Sequence, residues 1–273
     1  MTRIAYLGPA GTFTEQAARQ FSLDGAEYEP VDSPAAALAA LGAGADFAVC
    51  AIENSVDGAV TATADALAAT PGVQIVGETE LAIAFAVMTR PGQSLAAAAR
   101  LATHPVAFQQ VKGWVSEHAP NAEFVPAASN AAAAQMVADG QADIAVAPER
   151  AAELCGLQVH ATDVADSATA RTRFVLVAQQ TALPAATGAD RTAVVLRTPN
   201  MPGALVGVLQ EFAARGVDMS RIESRPTRIE PNTYNFFIDL VGHAEDPAVA
   251  AALKAVEVKA CLLYTSPSPR DRT

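Results

Sequence analysis

Short apolar runs alternate with Ala-rich stretches through the first 180 residues of the chain. The runs RIAYLG (3–8), DFAVCAI (46–52), VQIVGE (73–78), LAIAFAVMT (81–89), DIAVAP (143–148) and RFVLVA (173–178) are rich in β-branched and aromatic residues. They are too short for helices and predict strands with helices between them. That alternation is the pattern of an α/β fold with a mostly parallel sheet. A weak repeat lies inside it: SPAAALAALGAGADFAVCAIEN from Ser33 and SNAAAAQMVADGQADIAVAPER from Ser129. Each has a Ser N-cap, an Ala-rich helix, a Gly, and an Ala-Asp pair opening an apolar strand that ends on an acidic residue. Two readings stand at this point: helix–strand units of one Ala-rich domain, or two similar α/β lobes with a ligand cleft between them.

The stretch QQTALPAATGADR, from Gln179 to Arg191, has no apolar period and predicts a linker over about 181–190, closing a first unit at residue 180. Beyond it the pattern runs strand (TAVVLRT), turn (PNMPG), amphipathic helix (ALVGVLQEFAARG), strand (DMSRIESRP), strand (TYNFFIDLVGH) and helix (DPAVAAALKAVEV). This β-α-β-β-α unit, over 191–260, is one strand short of a ferredoxin-like α+β fold. The final CLLYTSPSPRDRT shows no alternation and carries two prolines that would interrupt a ladder, so the last strand is expected to be missing. It reads like translated adaptor sequence, and residues 261–273 are set apart as a non-native tail. A bare sheet edge and a weakened second unit follow from that expectation.

Composition narrows the function classes. With 273 residues, 51% hydrophobic and 17% charged, the chain has room for two or three packed units. A net charge of −11 leaves no basic stripe for nucleic acid and points to a small-molecule substrate. No run of eighteen apolar residues and no signal-peptide order occur, so a cytoplasmic protein without membrane attachment is expected. Cys50, Cys155 and Cys261 form no CxxC pair, and no HExxH spacing is present, so neither a disulfide framework nor a metal site is expected.

Three polar stretches could carry chemistry. In GPAGTFTEQAA, a Gly turn leads into Thr12 and, three residues on, Glu15, a capping box whose helix start offers free N–H groups to a carboxylate or phosphate. In CAIENSVDGAV, an apolar strand runs into Glu53, Asn54 and Ser55, at the strand end where α/β sheets build ligand crevices. In ARTRFVLVAQQ, Thr172 offers a hydroxyl and Arg173 a planar fork suited to a carboxylate. Each is equally consistent with an ordinary cap, turn or strand end. His104, in THPVAFQQ, could be a site residue, although a single His is more often a structural hydrogen-bonder.

Taken in order, GPAGTFTEQAA, AIENSVDGAV, THPVAFQQ, ADIAVAPERAAELCGL and TRFVLV resemble the prephenate dehydratases, and NMPGALVGVLQEFAARGVDMSRIESRPTR resembles the regulatory ACT domain that follows them. The resemblance spans about residues 3–260. It implies a bilobal catalytic domain similar to type II periplasmic-binding folds, and conversion of prephenate to phenylpyruvate, water and carbon dioxide without cofactor or metal. By resemblance Thr172 carries the dehydration and Arg173 pairs with a substrate carboxylate, while Thr12, Phe13, Thr14, Glu53, Asn54, Ser55 and Phe174 complete the pocket. In the ACT unit, Gly203, Ala204 and Leu205 match the GAL motif and Glu223, Ser224, Arg225 and Pro226 the ESRP motif. These imply inhibition by L-phenylalanine bound between domains of a homodimer or homotetramer. Ala170 and Arg171 stand where many members carry an Asn before the TRF motif. Arogenate dehydratases share these motifs, and a non-catalytic solute binder shares the bilobal fold.

Overall fold

The structure is a computed structural model that describes residues 1–167, 169–180 and 182–269, with the backbone alone over 262–269. Thr181 of the expected linker and residues 270–273 of the expected tail lie outside the described residues. A first lobe holds β1 (Arg3–Leu7), α1 (Phe13–Gln20), β2 (Glu27–Val31), α2 (Pro34–Gly42), β3 (Phe47–Asn54), β4 (Gly58–Ala59), α3 (Thr61–Ala69) and β5 (Val73–Ala82). The chain then crosses into a second lobe: β6 (Ala86–Thr89), β7 (Arg100–Thr103), α4 (Pro105–Gln109), α5 (Lys112–His118), β8 (Glu123–Pro126), α6 (Asn130–Ala138), β9 (Ile144–Ala147), α7 (Glu149–Cys155) and β10 (Gln158–Ala161). It returns as β11 (Arg171–Gln179), which inserts into the first sheet.

The two sheets are built alike, in the orders β2-β1-β3-β11-β5 and β8-β7-β9-β6-β10. In each, three neighbouring strands are parallel and the fourth runs against them. Ser33 caps α2 ahead of β3, and Ser129 caps α6 ahead of β9, at the same place in each sheet. The sequence repeat is therefore a repeat of whole lobes, and the part of the chain before the linker is bilobal.

Burial on both sheet faces explains the continuous apolar runs. In the first lobe Ile4, Tyr6, Val49, Phe174 and Leu176 pack on the α1 side, while Ala48, Cys50, Ile52, Val175 and Val177 pack with α2 and α3 on the other. LAIAFAVMT, expected as one strand, is divided: Leu81 ends in the first sheet and Ala86 begins in the second. Ile83 and Phe85 between them are buried in the second lobe's core. The strands β2, β7, β8 and β10 were absent from the sequence expectation, because EYEPV, RLAT, EFVP and QVHA bound or interrupt their apolar residues with charged residues, Pro or His and so show no continuous apolar run.

A third sheet, in the order β13-β14-β12-β15, is formed by β12 (Asp190–Arg197), β13 (Met219–Pro226), β14 (Tyr234–Val241) and β15 (Cys261–Pro269). Helices α8 (Ala204–Ala213) and α9 (Pro247–Glu257) cover one face, burying Val194, Leu196, Phe212, Ile238, Leu240 and Val256. The opposite face meets the first lobe, where Val195 and Phe237 pack with Ala64 of α3. One expectation is corrected here: residues 261–269 run antiparallel to β12, from Arg197↔Cys261 to Asp190↔Pro269, so the sheet has its fourth strand. Pro267 and Pro269 are tolerated because β15 is an edge strand. Residues two apart turn their backbone to the same side, which allows both missing N–H groups to face outward. No helix among the described residues is long and apolar enough to cross a membrane.

Candidate functional site

A cavity of about 300 Å³ opens between the two lobes. The first lobe lines it with Thr12, Phe13 and Thr14 at the start of α1, Ala51 of β3, and Thr172 and Phe174 of β11. Opposite them stand His104, which caps α4, and Ser129 and Asn130 at the start of α6. None of the lining residues is an Asp, Glu, Lys or Arg. The polarity of the cavity comes from hydroxyls, an amide, an imidazole and the N-terminal ends of α1 and α6, which carry partial positive charge.

The start of α1 is held by the predicted capping box, with one change. Thr12 Oγ1 accepts from Glu15 N at 3.3 Å, but the Glu15 carboxylate takes the N–H of Gly11, at 2.6 Å. Gly11 sits at φ +87° with a Cβ position 3.2 Å from the Cα of Ala151 in α7, so both conformation and space demand glycine. Glu15 is also reached by Arg19 of its own helix, at 2.7 Å, and by Arg150 of the second lobe, at 3.3 Å. Burial disfavours the Glu15 carboxylate, but the Gly11 N–H, Arg19 and Arg150 outweigh it and hold the pKa below the usual range. A depressed folded pKa stabilises above the unfolded value of about 4.3 and loses that contribution as pH falls through the folded value. The Tm difference between wild type and Glu15→Gln should therefore narrow as pH falls below about 4, a comparison open to thermal unfolding scans.

Thr172 is 7% exposed and pairs across β3 with Asn54. The Asn54 amide is oriented unambiguously: Oδ1 accepts from Val56 N at 2.8 Å and Asp57 N at 3.0 Å, so Nδ2 donates to Thr172 Oγ1 at 2.8 Å. A hydroxyl that accepts on one side has its own proton free to donate on the other. Asn54 thus makes Thr172 a hydrogen-bond donor toward the cavity.

Arg173, Glu53, Asn54 and Ser55 do not line the cavity, where the sequence expectation put them, and Asn54 meets it only through Thr172. Successive side chains of a strand point to opposite faces, so with Thr172 and Phe174 in the cleft, Arg173 faces away from it. There Arg173 Nη1 lies 3.3 Å from Glu53, and Nη2 lies 2.7 Å from Asp239 of β14. Ser55 clamps the start of β11: its Oγ accepts from Arg171 N at 2.9 Å and its N–H donates to Arg171 O at 2.8 Å.

Sequence reasoning missed the second lobe's share. Ser129 was read only as a cap, and His104 was weighed as a site residue but that reading was placed second to a structural hydrogen-bonder. Asn130 Oδ1 accepts from Thr103 Oγ1 at 3.3 Å and His104 N at 3.2 Å, tying the two cavity-facing loops together. The signal was the repeat itself, because a cleft between like lobes must be lined by both. Cys50, packed in the core on the α2 and α3 side, is buried away from the cavity, and burial pushes its thiol up to about 12.

In the third sheet, Gly203 stands at φ 79° as a side-chain-free N-cap of α8. Glu223 pairs with Arg221 at 3.1 Å, and Arg225 makes a bidentate pair with Asp65 of α3, at 2.8 and 3.0 Å. Pro226 lines a small cavity with Asp65, Arg197 and Arg228, while Ser224 is exposed. Within this chain Gly203, Ala204 and Leu205 do not line that cavity.

The family described as prephenate dehydratase matches residues 4–182, and the ACT domain matches residues 192–258. The chain is 54% identical to the prephenate dehydratase of Corynebacterium glutamicum, over 99% of this chain and 89% of that one. A prephenate dehydratase from Arthrobacter aurescens, solved in complex with L-Phe, is 42% identical with a TM-score of 0.89, covering 97% of this chain and 90% of that one. A solved protein described as GqqA, a novel type of quorum quenching acylase, is 33% identical with a TM-score of 0.88, covering 98% of each chain.

Proposed function

On the premise that the chain belongs to the prephenate dehydratase family and carries an ACT domain behind its catalytic unit, we propose that the cleft performs the decarboxylating dehydration of prephenate with Thr172 as the hydroxyl that assists departure of water. The observation that carries this reading is the Asn54-to-Thr172 hydrogen bond, which aims a hydroxyl proton into a cavity free of charged side chains.

Prephenate carries two carboxylates and a ring hydroxyl. The ring carboxylate leaves as carbon dioxide, its bonding electrons pass through the ring, and the C–O bond at the opposite position breaks as the ring becomes aromatic. The leaving oxygen takes one proton, supplied in net from solvent, and departs as water. A neutral threonine is too weak an acid to protonate the oxygen in advance, so Thr172 stabilises the developing negative charge by a strong hydrogen bond. The substrate carboxylates are met by one helix N-terminus from each lobe: α1 with Thr12 and Thr14, and α6 with Ser129 and Asn130. Arg173 has no part in carboxylate binding in this scheme, because its fork is engaged on the opposite face. Phe13 and Phe174 supply apolar walls for the ring.

L-phenylalanine is the effector in this reading, supported by the L-Phe complex of the 42% identical enzyme. The N-terminal end of α8, which no side chain caps at Gly203, receives its carboxylate. With Glu223 and Arg225 turned toward their own catalytic unit, a second chain supplies the rest of the effector site, so the functional unit is a homo-oligomer.

Assaying the purified full chain with prephenate and with arogenate, each with and without L-phenylalanine, tests the scheme. Phenylpyruvate formation from prephenate that falls on adding L-phenylalanine is the expected result. A folded protein inert on prephenate, or one that turns over only arogenate, would overturn it.

A further inference from the structure

Arg173, released from substrate binding, has a different setting. It is 8% exposed, and each neighbouring element contributes an acid to it. Glu53 comes from β3, on one side of β11, at 3.3 Å. Glu78 comes from β5, on the other side, at 3.2 Å. Asp239 comes from β14 of the ACT sheet, at 2.7 Å, the shortest of the three.

Asp239 is 1% exposed, and its Oδ2 is shared between Arg173 Nη2 and Arg221 Nε, the latter at 3.1 Å. Arg221 reaches on to Glu223 of the same strand. Burial opposes the charge on Asp239, yet Arg173 and Arg221 outweigh it and keep the carboxyl below its usual range, so the cluster stays ionised at neutral pH. The contacts run without a gap from Glu223 in the ESRP strand, through Arg221 and Asp239, to Arg173, which shares a peptide bond with Thr172.

Two further observations set this cluster apart from ordinary interdomain glue. Buried ion pairs are a poor way to gain docking energy, because desolvation cancels most of the attraction. The ACT sheet is already docked by Val195 and Phe237 against Ala64 and by the Arg225–Asp65 pair, neither of which involves Asp239. In addition, the pairing of β11 with β3 changes register between Arg173 and Phe174, inside the segment that aims Thr172. A bulge is where a strand redirects its side chains.

We propose that Asp239 is a positioning residue for the dehydration: an acid of the ACT sheet that holds Arg173, and through it the aim of Thr172, so that effector binding at the ACT strand bearing Glu223 reaches the cleft through this cluster. The proposal rests on the functional reading above for its substrate and effector. Asp239 acts without touching substrate. The cluster makes the regulatory domain a structural part of the site, and occupancy that shifts β13 moves Arg221, then Asp239, then the Thr172–Arg173 peptide.

Two full-length variants and one control test it. Asp239→Asn keeps the shape and removes the charge. Arg221→Gln leaves Arg173 its three acids but cuts the link to Glu223. Asp65→Ala removes the pairs that Arg225 and Arg228 make with α3 and leaves the cluster intact. Hydrogen exchange over residues 170–176, read without any substrate, should accelerate about tenfold in Asp239→Asn and stay at the wild-type rate in Asp65→Ala. With prephenate, Asp239→Asn should lower kcat by about tenfold at nearly unchanged KM, where loss of a docking contact alone would leave kcat intact. Arg221→Gln should keep wild-type kcat without effector and need about tenfold more L-phenylalanine for half-inhibition. Wild-type exchange over 170–176 in Asp239→Asn, or equal acceleration in Asp65→Ala, would overturn the proposal whatever the substrate proves to be. If Asp239→Asn does not fold, unaltered inhibition of Arg221→Gln does the same. A wild-type protein inert on prephenate counts against the functional reading and leaves the exchange result to decide this one.

Discussion

Thr172→Ala should lower kcat on prephenate by about 10²–10³-fold, the range seen when a single donor to developing negative charge is removed. That corresponds to about 3–4 kcal/mol of lost transition-state stabilisation. KM should change little if, as proposed, two helix N-termini and not Thr172 hold the carboxylates. The folded state should survive: the side chain is small, and the backbone pairs of Thr172 with Asn54 and Leu81 remain. Thr172→Ser retains a hydroxyl that Asn54 can still orient and should recover most of the activity. Steady-state kinetics of the two variants, with circular dichroism to verify folding, decides the matter. Equal kcat in wild type and Thr172→Ala would remove the hydroxyl from the mechanism.

Asn54→Asp should be nearly as damaging, although Asn54 lies outside the cavity lining and the substitution hardly alters the side chain's volume. The amide donates to Thr172 at 2.8 Å and accepts two backbone N–H groups through its other atom. A carboxylate keeps the backbone contacts but has no proton to offer, so Thr172 would turn its own hydroxyl toward that carboxylate and away from the substrate. A kcat loss of about 10²-fold is expected, with stability close to wild type. The effects should also be strongly non-additive: once Thr172 is alanine, Asn54→Asp has no donor left to misdirect. Full additivity of the two losses in the double variant would show that Asn54 acts by some other route.

How much of this was legible beforehand follows from the range of each interaction. Thr12 and Glu15 lie three residues apart, and a capping box is decided within one helical turn, so the start of α1 could be read directly. Its last detail could not, because the Glu15 carboxylate is drawn to Gly11 and to Arg150, which comes from another lobe. Likewise the alternation of β11 put Thr172 and Arg173 on opposite faces from the outset. Which face was the cleft depended on how the lobes and the third sheet packed. The tail misled for a related reason: Pro267 and Pro269 argue against a central strand, and only the sheet order reveals that β15 is an edge.

By itself the sequence determined the alternation of strands and helices, the repeat that became two like lobes, the β-α-β-β-α run of the ACT unit, and the presence of Thr172, Asn54 and the Thr12 loop as polar groups at element ends. Those features arise from periods and caps that act over a few neighbouring residues. Only the tertiary structure decided that Ser129, Asn130 and His104 share the cavity with Thr172, that the Asn54 amide donates to the Thr172 hydroxyl, and that Arg173 pairs with Asp239 of the ACT sheet. Each of those outcomes depends on side chains far apart in the chain, such as Arg173 and Asp239, and their meeting is set by how whole sheets pack, which no local pattern encodes.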